Sequence, residues 1–400
     1  MPKLIDKNNC TGCAACYNSC SSGAIEMKAD NTGFLFPSVD LSRCIECKMC
    51  EKACPQLSKV TCGYRSPKAY IAQNSNEEIR MQSTSGGAFT AIAMETIKQG
   101  GVVFGAAFVE NYCVRHIGVE TEKDLGKFRN SKYVQSEIGD SYKQARNFLK
   151  AGRNVCFSGT PCQINGLLSF LNKEYDNLIT VDVMCRAVPS PKVFAKYLEE
   201  RNSKYPDFNR VVFRDKARGY SYSTLSIYKD SKNLYRGGSE YDQWLRLFFK
   251  GFCNRESCFN CGFQTGNRIS DFTLWDCWGT QNYSNKMDDN KGTTNVIAWT
   301  SKGQKLFDSI DTLSVKEIGI ENIDASLDRG DLPRPVYDRD EFWEDVEKME
   351  PDVFLRKYVP LSTKIRVKSL LRQIIWKLHL HNTVRKTVHF FRQIKRKIGR

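Results

Sequence analysis

The sequence predicts an α+β protein with three parts: a small cysteine-rich domain, a layered α/β body and a basic amphipathic C-terminal helix. Eight of the 17 cysteines fall in residues 1–60 as two copies of one spacing. Strand-like and helix-like segments then alternate, which is typical of a layered α/β core. From residue 361 onward, apolar residues recur with a helical period among Lys and Arg. The length of 400 residues also exceeds one ordinary core.

The two cysteine runs share the spacing C-x2-C-x2-C-x3-C and predict a two-cluster ferredoxin-like domain over residues 1–60. The runs are Cys10, Cys13, Cys16 and Cys20, and Cys44, Cys47, Cys50 and Cys54. In two-cluster ferredoxins, the fourth cysteine of each run ligates the other cluster. We therefore expect one [4Fe-4S] cluster on Cys10, Cys13, Cys16 and Cys54, and another on Cys44, Cys47, Cys50 and Cys20. Zinc ribbons are the alternative, but they usually pair two C-x2-C units across a longer gap.

Composition and targeting signals favour a cytoplasmic globular protein. Hydrophobic residues make up 41% of the chain and charged residues 26%. No apolar run of signal-peptide length precedes Cys10, and no uncharged apolar stretch reaches the length of a bilayer span. Clustered cysteines without an export signal favour metal binding over disulfides.

The body begins after a predicted linker at residues 61–68. We predict strands at 69–73, 102–108, 154–158 and 178–184, and helices at 85–99, 142–149, 163–171 and 191–199. From about 205 to 300 the pattern is strand-rich and aromatic, and we expect this half to cover the α/β half. The predicted domains are therefore 1–60, 68–200, 201–335 and a helical basic tail at 336–400.

Seven separated stretches of the body carry a family resemblance. They are STSGGAFT (83–90), SKYVQS (131–136), FSGTPCQ (157–163), residues 181–190, FRDK (213–216), CFNC (258–261) and residues 271–279. In this order they resemble the coenzyme F-420 hydrogenase/dehydrogenase beta-subunit family, whose members bind flavin and iron-sulfur clusters. The resemblance implies an α/β body that binds a flavin, expected to be FAD.

The resemblance also implies the flavin-binding residues. They are Ser83, Ser85, Gly86, Gly87, Ser131, Lys132, Tyr133, Gln135 and Thr160. The residues themselves support part of this set, because a Ser/Thr-rich turn with two glycines at a helix start offers backbone N–H groups to a pyrophosphate. The alternatives are an ordinary helix cap at that turn and a solvated lysine at Lys132.

A third [4Fe-4S] cluster is implied by the resemblance on Cys162, Cys185, Cys258 and Cys261. The alternative for Cys162 and Cys185 is buried free thiols. After Cys185 the chain has Arg186 and Ala187 where the family usually shows His-Gly. We therefore expect Arg186 to hold an acidic substrate or to stabilise flavin charge. The resemblance implies that Lys132 faces the reduced flavin. His116 is the candidate proton donor, and a structural role for this lone histidine is the alternative.

These features predict an enzyme, a ferredoxin-dependent flavin oxidoreductase. Electrons would pass from reduced ferredoxin, or a similar low-potential donor, through the clusters to the flavin and on to a small-molecule acceptor. The alternative is an electron-transfer subunit of a larger redox complex without a substrate pocket of its own.

The tail explains most of the net charge of +15. Residues 361–400 hold twelve Lys or Arg and no Asp or Glu, which leaves about +3 elsewhere. Residues 362–400 predict a basic amphipathic helix that contacts the inner face of a membrane peripherally. We expect no nucleic-acid binding, because the apolar stripe is wider than phosphate contact requires. Docking on the body or on a partner protein stays open.

Overall fold

The computed structural model describes residues 2–58, 65–266, 268–322, 332–381, 383–384 and 387. Half of the predicted linker at 61–68 and the predicted tail from residue 388 onward lie outside the described residues.

The strands of the described ranges follow in chain order. They are β1 (Ile25–Ala29), β2 (Leu35–Val39), β3 (Lys68–Asn74), β4 (Val102–Phe108), β5 (Val114–Val119), β6 (Val155–Gly159), β7 (Leu178–Val183), β8 (Arg210–Asp215), β9 (Thr224–Lys229), β10 (Lys232–Gly238), β11 (Phe272–Asp276), β12 (Thr294–Ala298) and β13 (Leu313–Ile318).

The α-helices are interspersed with these strands. They are α1 (Ala15–Ser19), α2 (Met49–Lys52), α3 (Glu77–Gln82), α4 (Ala88–Lys98), α5 (Ser141–Lys150), α6 (Pro161–Leu171), α7 (Pro191–Lys204), α8 (Gln243–Phe249), α9 (Ser301–Asp308), α10 (Arg339–Lys348), α11 (Pro351–Tyr358) and α12 (Thr363–Lys377). In the part of the chain described, no helix is long and apolar enough to cross a bilayer.

The main sheet has the strand order β13-β3-β12-β11-β7-β6-β4-β5. Its centre is parallel, since β11 pairs with β7, β7 with β6, and β6 with β4 in that sense. The flanking pairs are antiparallel. The carboxyl ends of the parallel strands therefore meet at one edge, which is where ligands bind in open α/β sheets.

The N-terminal domain is a hairpin of β1 and β2 with two short helices. The hairpin pairs Ile25 with Val39 at its open end. One apolar cluster then crosses from this domain into the body. It contains Cys13, Ala14, Ala15 and Ala53 together with residues of α5, α6 and β6 such as Tyr142, Leu167 and Phe157. A domain of this size buries too little surface for a large core of its own, and here it shares the core of the body.

A second core lies under the sheet of β8, β9 and β10. Its centre is Trp244, which is fully buried among Phe194, Tyr197 and Phe213. The sequence favours α7 and α8 at this place, because Ser190 and Asp242 accept the backbone N–H groups of Val193 and Leu245 as helix caps. This core holds the second half of the body against the first.

The predicted strands and helices of the first half correspond to β3, β4, β6, β7 and α4 to α7. The expectation that the strand-rich half only covers the α/β half was wrong, because β11 and β12 lie inside the main sheet. Residue periodicity predicts a strand but not its neighbours, which is why the pairing was missed. The predicted domain boundaries stay predictions.

Candidate functional site

The first group of cysteines lies at the surface of the N-terminal domain, and we name it the outer group. Its members line one small cavity together with Ser22 and Ile45, and they are Cys20, Cys44, Cys47 and Cys50. Cys47 is exposed. The backbone N–H of Ala24 donates to Sγ of Cys20 at 3.2 Å, which is the kind of contact that tunes a cluster. The outer group therefore combines both cysteine runs.

The second group, which we name the inner group, has three buried members and one half-buried member, Cys16. It consists of Cys10, Cys13, Cys16 and Cys54. Burial, and then the neighbouring thiols of Cys13, Cys10 and Cys54, raise the pKa of Cys16 well above its ordinary value. Each run also turns in the same way, since Ala14 and Lys48 both have a φ of 58°. The structure thus brings the predicted crossed sets together.

The third group of cysteines converges from three distant stretches onto one cavity at the carboxyl edge of the main sheet. Its members are Cys162, Cys185, Cys258 and Cys261. Cys162 lies in the first turn of α6, directly after β6, and Cys185 follows β7. Cys258 ends the 3-10 turn Glu256–Cys258. The hydroxyl of Thr160 lies 3.2 Å from Sγ of Cys162, and its role in flavin binding stays a prediction.

The chemistry of the third group fits an iron-sulfur cluster, because four sulfur donors face one space. Burial raises the pKa of Cys162 to about 11 and that of Cys258 to about 12. Such thiols stay protonated at neutral pH unless a metal deprotonates them. Over the described ranges, no three or more His, Cys, Asp or Glu side chains are arranged to hold a single metal ion.

The inner and third groups are neighbours. A Cβ atom added to Gly166 of α6 would lie 3.0 Å from both Cβ and Sγ of Cys13. The pKa of Cys13 is raised to about 12, chiefly by burial. The thiol of Cys162, one helical turn before Gly166, is near enough to contribute to this rise. The carboxamide of Gln135 joins the same junction, donating to the carbonyl of Thr11 at 3.0 Å and accepting from Arg255 at 2.9 Å. As a flavin ligand, Gln135 stays a prediction.

The Ser/Thr-rich turn before α4 is packed onto the carboxyl edge of the sheet. The N–H of Gly86 donates to Oγ1 of Thr294 at 2.8 Å, and a Cβ atom on Gly86 would lie 2.7 Å from the N of Thr294. The side chain of Ser83 donates to the carbonyl of Ile79. Gly87 precedes the helix with a φ of 81° and no side-chain cap. The first turn of α4 therefore presents N–H groups without a capping side chain.

This turn meets the second predicted flavin segment. Oγ1 of Thr84 is 2.8 Å from Oγ of Ser131 and accepts the N–H of Ser131 at 2.7 Å. The ammonium of Lys132 donates to the carbonyls of Lys127 and Arg129, and burial lowers the pKa of Lys132 to about 7. The structure therefore brings Ser83, Ser85, Gly86 and Gly87 together with Ser131 and its neighbours.

Two basic residues that the sequence did not single out complete this region. Nζ of Lys216 donates to three backbone carbonyls, those of Arg80, Ser85 and Lys291. Burial lowers the pKa of Lys216 to about 7. The guanidinium of Arg214 pairs with Asp276 at 2.9 Å. The FRDK stretch carries part of the family resemblance, but nothing in the sequence indicates which of its side chains contacts the turn.

An aromatic surface connects this basic region to Cys185. Arg214 donates to the hydroxyl of Tyr133 at 3.2 Å, and the ring of Tyr133 lies 6.2 Å from that of Phe249. Arg186, which follows Cys185, donates to the carbonyl of Phe249 at 2.9 Å. Phe249 is 40% exposed. The predicted residues Tyr133 and Arg186 thus lie on one continuous surface.

His116 is buried in β5 rather than on that surface. Its Nε2 lies 2.9 Å from the carbonyl of Ser158, and its ring stacks on Phe157. Burial lowers the pKa of His116 to about 4, so the ring is neutral at pH 7. Because a carbonyl only accepts, Nε2 carries the proton. A role in proton donation stays a prediction.

Two regions of the chain match known families. Residues 152–324 match the C terminus of the beta subunit of coenzyme F420 hydrogenase/dehydrogenase, and residues 9–57 match the 4Fe-4S dicluster domain. An uncharacterized ferredoxin from Methanocaldococcus jannaschii is 33% identical over 52 residues, which are 13% of this chain and 66% of that ferredoxin, just under two thirds of its length.

Among solved structures, the chain is similar to a chain of the xenon-derivatised F420-reducing [NiFe] hydrogenase complex from Methanosarcina barkeri. It is 14% identical, with a TM-score of 0.43, and the alignment covers 74% of this chain and 94% of that one. The family assignment depends on the two sequence matches, which cover the outer, inner and third groups. Through them, residues 152–324 are identified with the C terminus of the coenzyme F420 hydrogenase/dehydrogenase beta subunit, and residues 9–57 with a 4Fe-4S dicluster domain.

Proposed function

We propose that the chain is a ferredoxin-dependent flavin oxidoreductase with three [4Fe-4S] clusters and an FAD. Electrons would pass from the outer cluster to the inner cluster, then to a cluster on the third group, and then to the flavin. The observation that carries this proposal is the convergence of four cysteines beside the inner group. Four cysteine thiolates are the ligand set of a [4Fe-4S] cluster.

Differences in burial support this direction of flow. The outer group is open to solvent at Cys47, whereas Cys10 and Cys13 of the inner group are 7% and 8% exposed. Ile45 and Met49, on either side of Cys47, are 66% and 44% exposed. An apolar surface around an exposed cluster suits brief docking of a ferredoxin-like donor. The inner group, in contrast, faces the body.

The uncapped start of α4 and the basic side chains around it support the flavin. Phosphate groups bind readily at helix N-termini, and Nζ of Lys216 contacts the carbonyl of Ser85 in the turn before α4. When bound, a flavin supplies the exchange between single electrons and electron pairs. The ring of Tyr133 offers a face for the isoalloxazine, and Lys132 a positive group for its reduced form.

Arg186 is the residue that we propose for contact with a negatively charged acceptor. It follows Cys185 and lies against the exposed ring of Phe249, between the third group and the flavin region. His116 remains the proposed proton donor. Because its ring is neutral at pH 7, each donated proton would have to be replaced by a proton from another group.

A subunit that passes electrons to a partner protein is the second candidate function. Phe249 and Trp278, at 40% and 57% exposed, give the flavin region an apolar surface of the kind that partner proteins cover. Turnover of a small acceptor by the isolated chain would favour the enzyme, and strict dependence on a second subunit would favour this alternative.

Anaerobic stopped-flow reduction by a reduced ferredoxin tests the electron path. In the wild-type chain, bleaching of the clusters should be followed by bleaching of the flavin. Cys261→Ser should keep the first phase and slow flavin reduction at least about 100-fold, because it interrupts the third cluster. Cys113→Ser, which changes an exposed cysteine outside the three groups, is the matched control. Flavin reduction at the wild-type rate in Cys261→Ser would refute the path.

We further propose that α12 rests on an anionic membrane surface. One face of the helix docks on the body, where Arg372 pairs with Glu240 at 2.7 Å and Ser369 is 4% exposed. The opposite face is apolar and exposed, with Val367, Leu370, Leu371, Ile374 and Leu378 all between 42% and 61% exposed.

The charges around this apolar stripe favour lipid over protein as its partner. At 3.6 residues per turn, Lys364 and Lys368 flank one side of the stripe, and Arg366 and Lys377 flank the other. All four side chains are exposed. An apolar stripe between two basic margins is the arrangement by which helices lie in the interface of anionic bilayers.

A further inference from the structure

Arg255 links the inner group to the third group through a single side chain. Its backbone belongs to the third group, since its N–H donates to the carbonyl of Val188 and its carbonyl accepts the N–H of Cys258, both at 3.0 Å. Its guanidinium enters the N-terminal domain. There Nε donates to the carbonyl of Cys10 at 2.7 Å, and Nη2 donates to the carbonyl of Leu35 at 3.0 Å.

The loop of the inner group is wrapped around this guanidinium. Nη2 also lies 3.7 Å from Sγ of Cys10, within hydrogen-bond range of a sulfur that ligates the inner cluster. A Cβ atom on Gly12 would lie 2.7 Å from Nη1, and Gly12 has a φ of +69°. Only glycine tolerates both the left-handed backbone and this close approach. The backbone of Cys10 and Gly12 therefore packs closely around the guanidinium of Arg255.

The buried positive charge of Arg255 has no carboxylate partner among the hydrogen bonds of its guanidinium in the described residues. The residue is 1% exposed, and, among the residues described, each hydrogen bond of its guanidinium ends on an uncharged oxygen or on sulfur. The neighbouring Glu256 pairs with Arg334 and Arg339 instead. The ring of Phe36, 4.2 Å away, compensates part of the charge. Burying a cation without an anion costs several kcal/mol.

We infer that Arg255 sets the reduction potential of the inner cluster by stabilising its reduced state at the junction with the body. An iron-sulfur cube with four thiolate ligands is negatively charged, and reduction makes it more so. A buried cation and an N–H donor at the ligand sulfur favour the reduced form. The inference requires iron in the dicluster domain, and it requires neither the third cluster nor the flavin.

A redox titration of the full-length protein, followed by electron paramagnetic resonance, tests this role. Arg255→Gln removes the charge and keeps an amide donor, whereas Arg255→Lys keeps the charge without the fork of donors. Arg43→Gln is the matched control, because it removes the same charge from an exposed position in the same domain, where Arg43 contacts the carbonyl of Ser22.

In Arg255→Gln, the ratio of reduced to oxidised inner cluster at a fixed potential should fall at least about tenfold, a shift of about 59 mV to lower potential. Arg255→Lys should shift less, and Arg43→Gln hardly at all because solvent screens its charge. The inner-cluster step is assigned independently, as the one that Cys54→Ser removes or converts.

Unchanged midpoints in an iron-replete Arg255→Gln protein would overturn the inference. If this variant loses iron, the decision passes to Gln135→Glu, which places a carboxylate where the side-chain oxygen of Gln135 accepts from Nη1 of Arg255 at 2.9 Å. A downward shift in the glutamate variant supports the inference, and wild-type midpoints in it overturn the inference. In that second outcome Arg255 would only hold the domains together, and iron loss would be its whole effect.

Discussion

Gly166 and Cys13 touch across the boundary between the body and the N-terminal domain. A Cβ atom on Gly166 would lie 3.0 Å from Sγ of Cys13, which makes α6 the surface on which the inner group rests. Cys162 of the third group begins the same helix. The contact therefore fixes the spacing between two groups of cysteines.

Gly166→Val should disturb this contact specifically. Its added methyl groups press on Cys13, and overpacking of a well-packed core costs about 1–3 kcal/mol. We expect a lower thermal unfolding midpoint and loss of the inner cluster, measured as iron per chain. Gly126→Ala is the control, because a Cβ atom there meets only a side chain 3.9 Å away. Full iron content in Gly166→Val would show that the contact is not tight.

The crossed ligand sets predict which cluster each variant loses. Cys54→Ser should remove or convert the inner cluster, because Cys54 is near Cys10. Cys20→Ser should affect the outer cluster, since Cys20 lines the cavity with Cys44, Cys47 and Cys50. Iron quantification and the paramagnetic spectrum of the reduced protein measure this. If Cys20→Ser altered the inner cluster, each run would serve its own cluster instead.

His116 predicts a loss of stability in acid. Its pKa is about 4 in the folded protein against 6.5 for the ordinary group, so the unfolded chain binds the extra proton first. Stability is therefore complete above pH 6.5 and falls as the pH drops toward 4. At pH 5.5 the deficit is about 1–2 kcal/mol.

His116→Gln should remove this pH dependence. Thermal midpoints at pH 7.5 and 5.5 should differ less in the variant than in wild type. His379→Gln, at an exposed position, controls for the change of residue type and should behave like wild type. An equal acid sensitivity of wild type and His116→Gln would rule out a buried neutral imidazole.

The exposed stripe of α12 predicts binding to anionic vesicles at low salt. Leu371→Gln combined with Ile374→Gln should reduce co-sedimentation about tenfold or more, because burial of each apolar side chain contributes up to about 1.5–3 kcal/mol. Val315→Gln, at an exposed apolar position on β13, is the control. Neutral vesicles should bind weakly. Equal pelleting with neutral and anionic vesicles would contradict a role for the basic margins.

The sequence predicted what local spacing encodes. Both cysteine runs, the strands β3, β4, β6 and β7 and the helices α4 to α7 follow from short-range patterns, and the family match confirms the dicluster domain. The antiparallel strands β5 and β13 were missed. The place of β11 and β12 in the main sheet was missed because pairing depends on partners far along the chain.

The contacts of Arg255 could not be predicted from the sequence either, because they too join residues that are far apart along the chain. Arg255 donates to Cys10 across 245 positions of sequence, and nothing around residue 255 indicates a contact with the first cysteine loop. Gln135 and Thr160, grouped with the flavin residues by resemblance, also contact Thr11 and Cys162, and neither contact is indicated by the sequence around them. Convergence in space is information that a single sequence does not contain.

The count of cofactors per chain tests the central claim most directly. Protein purified without oxygen should contain about twelve iron and twelve sulfide, with one flavin, if the outer, inner and third groups each hold a cube. About eight iron with one flavin would contradict the third cluster, and protein without flavin would contradict the oxidoreductase itself.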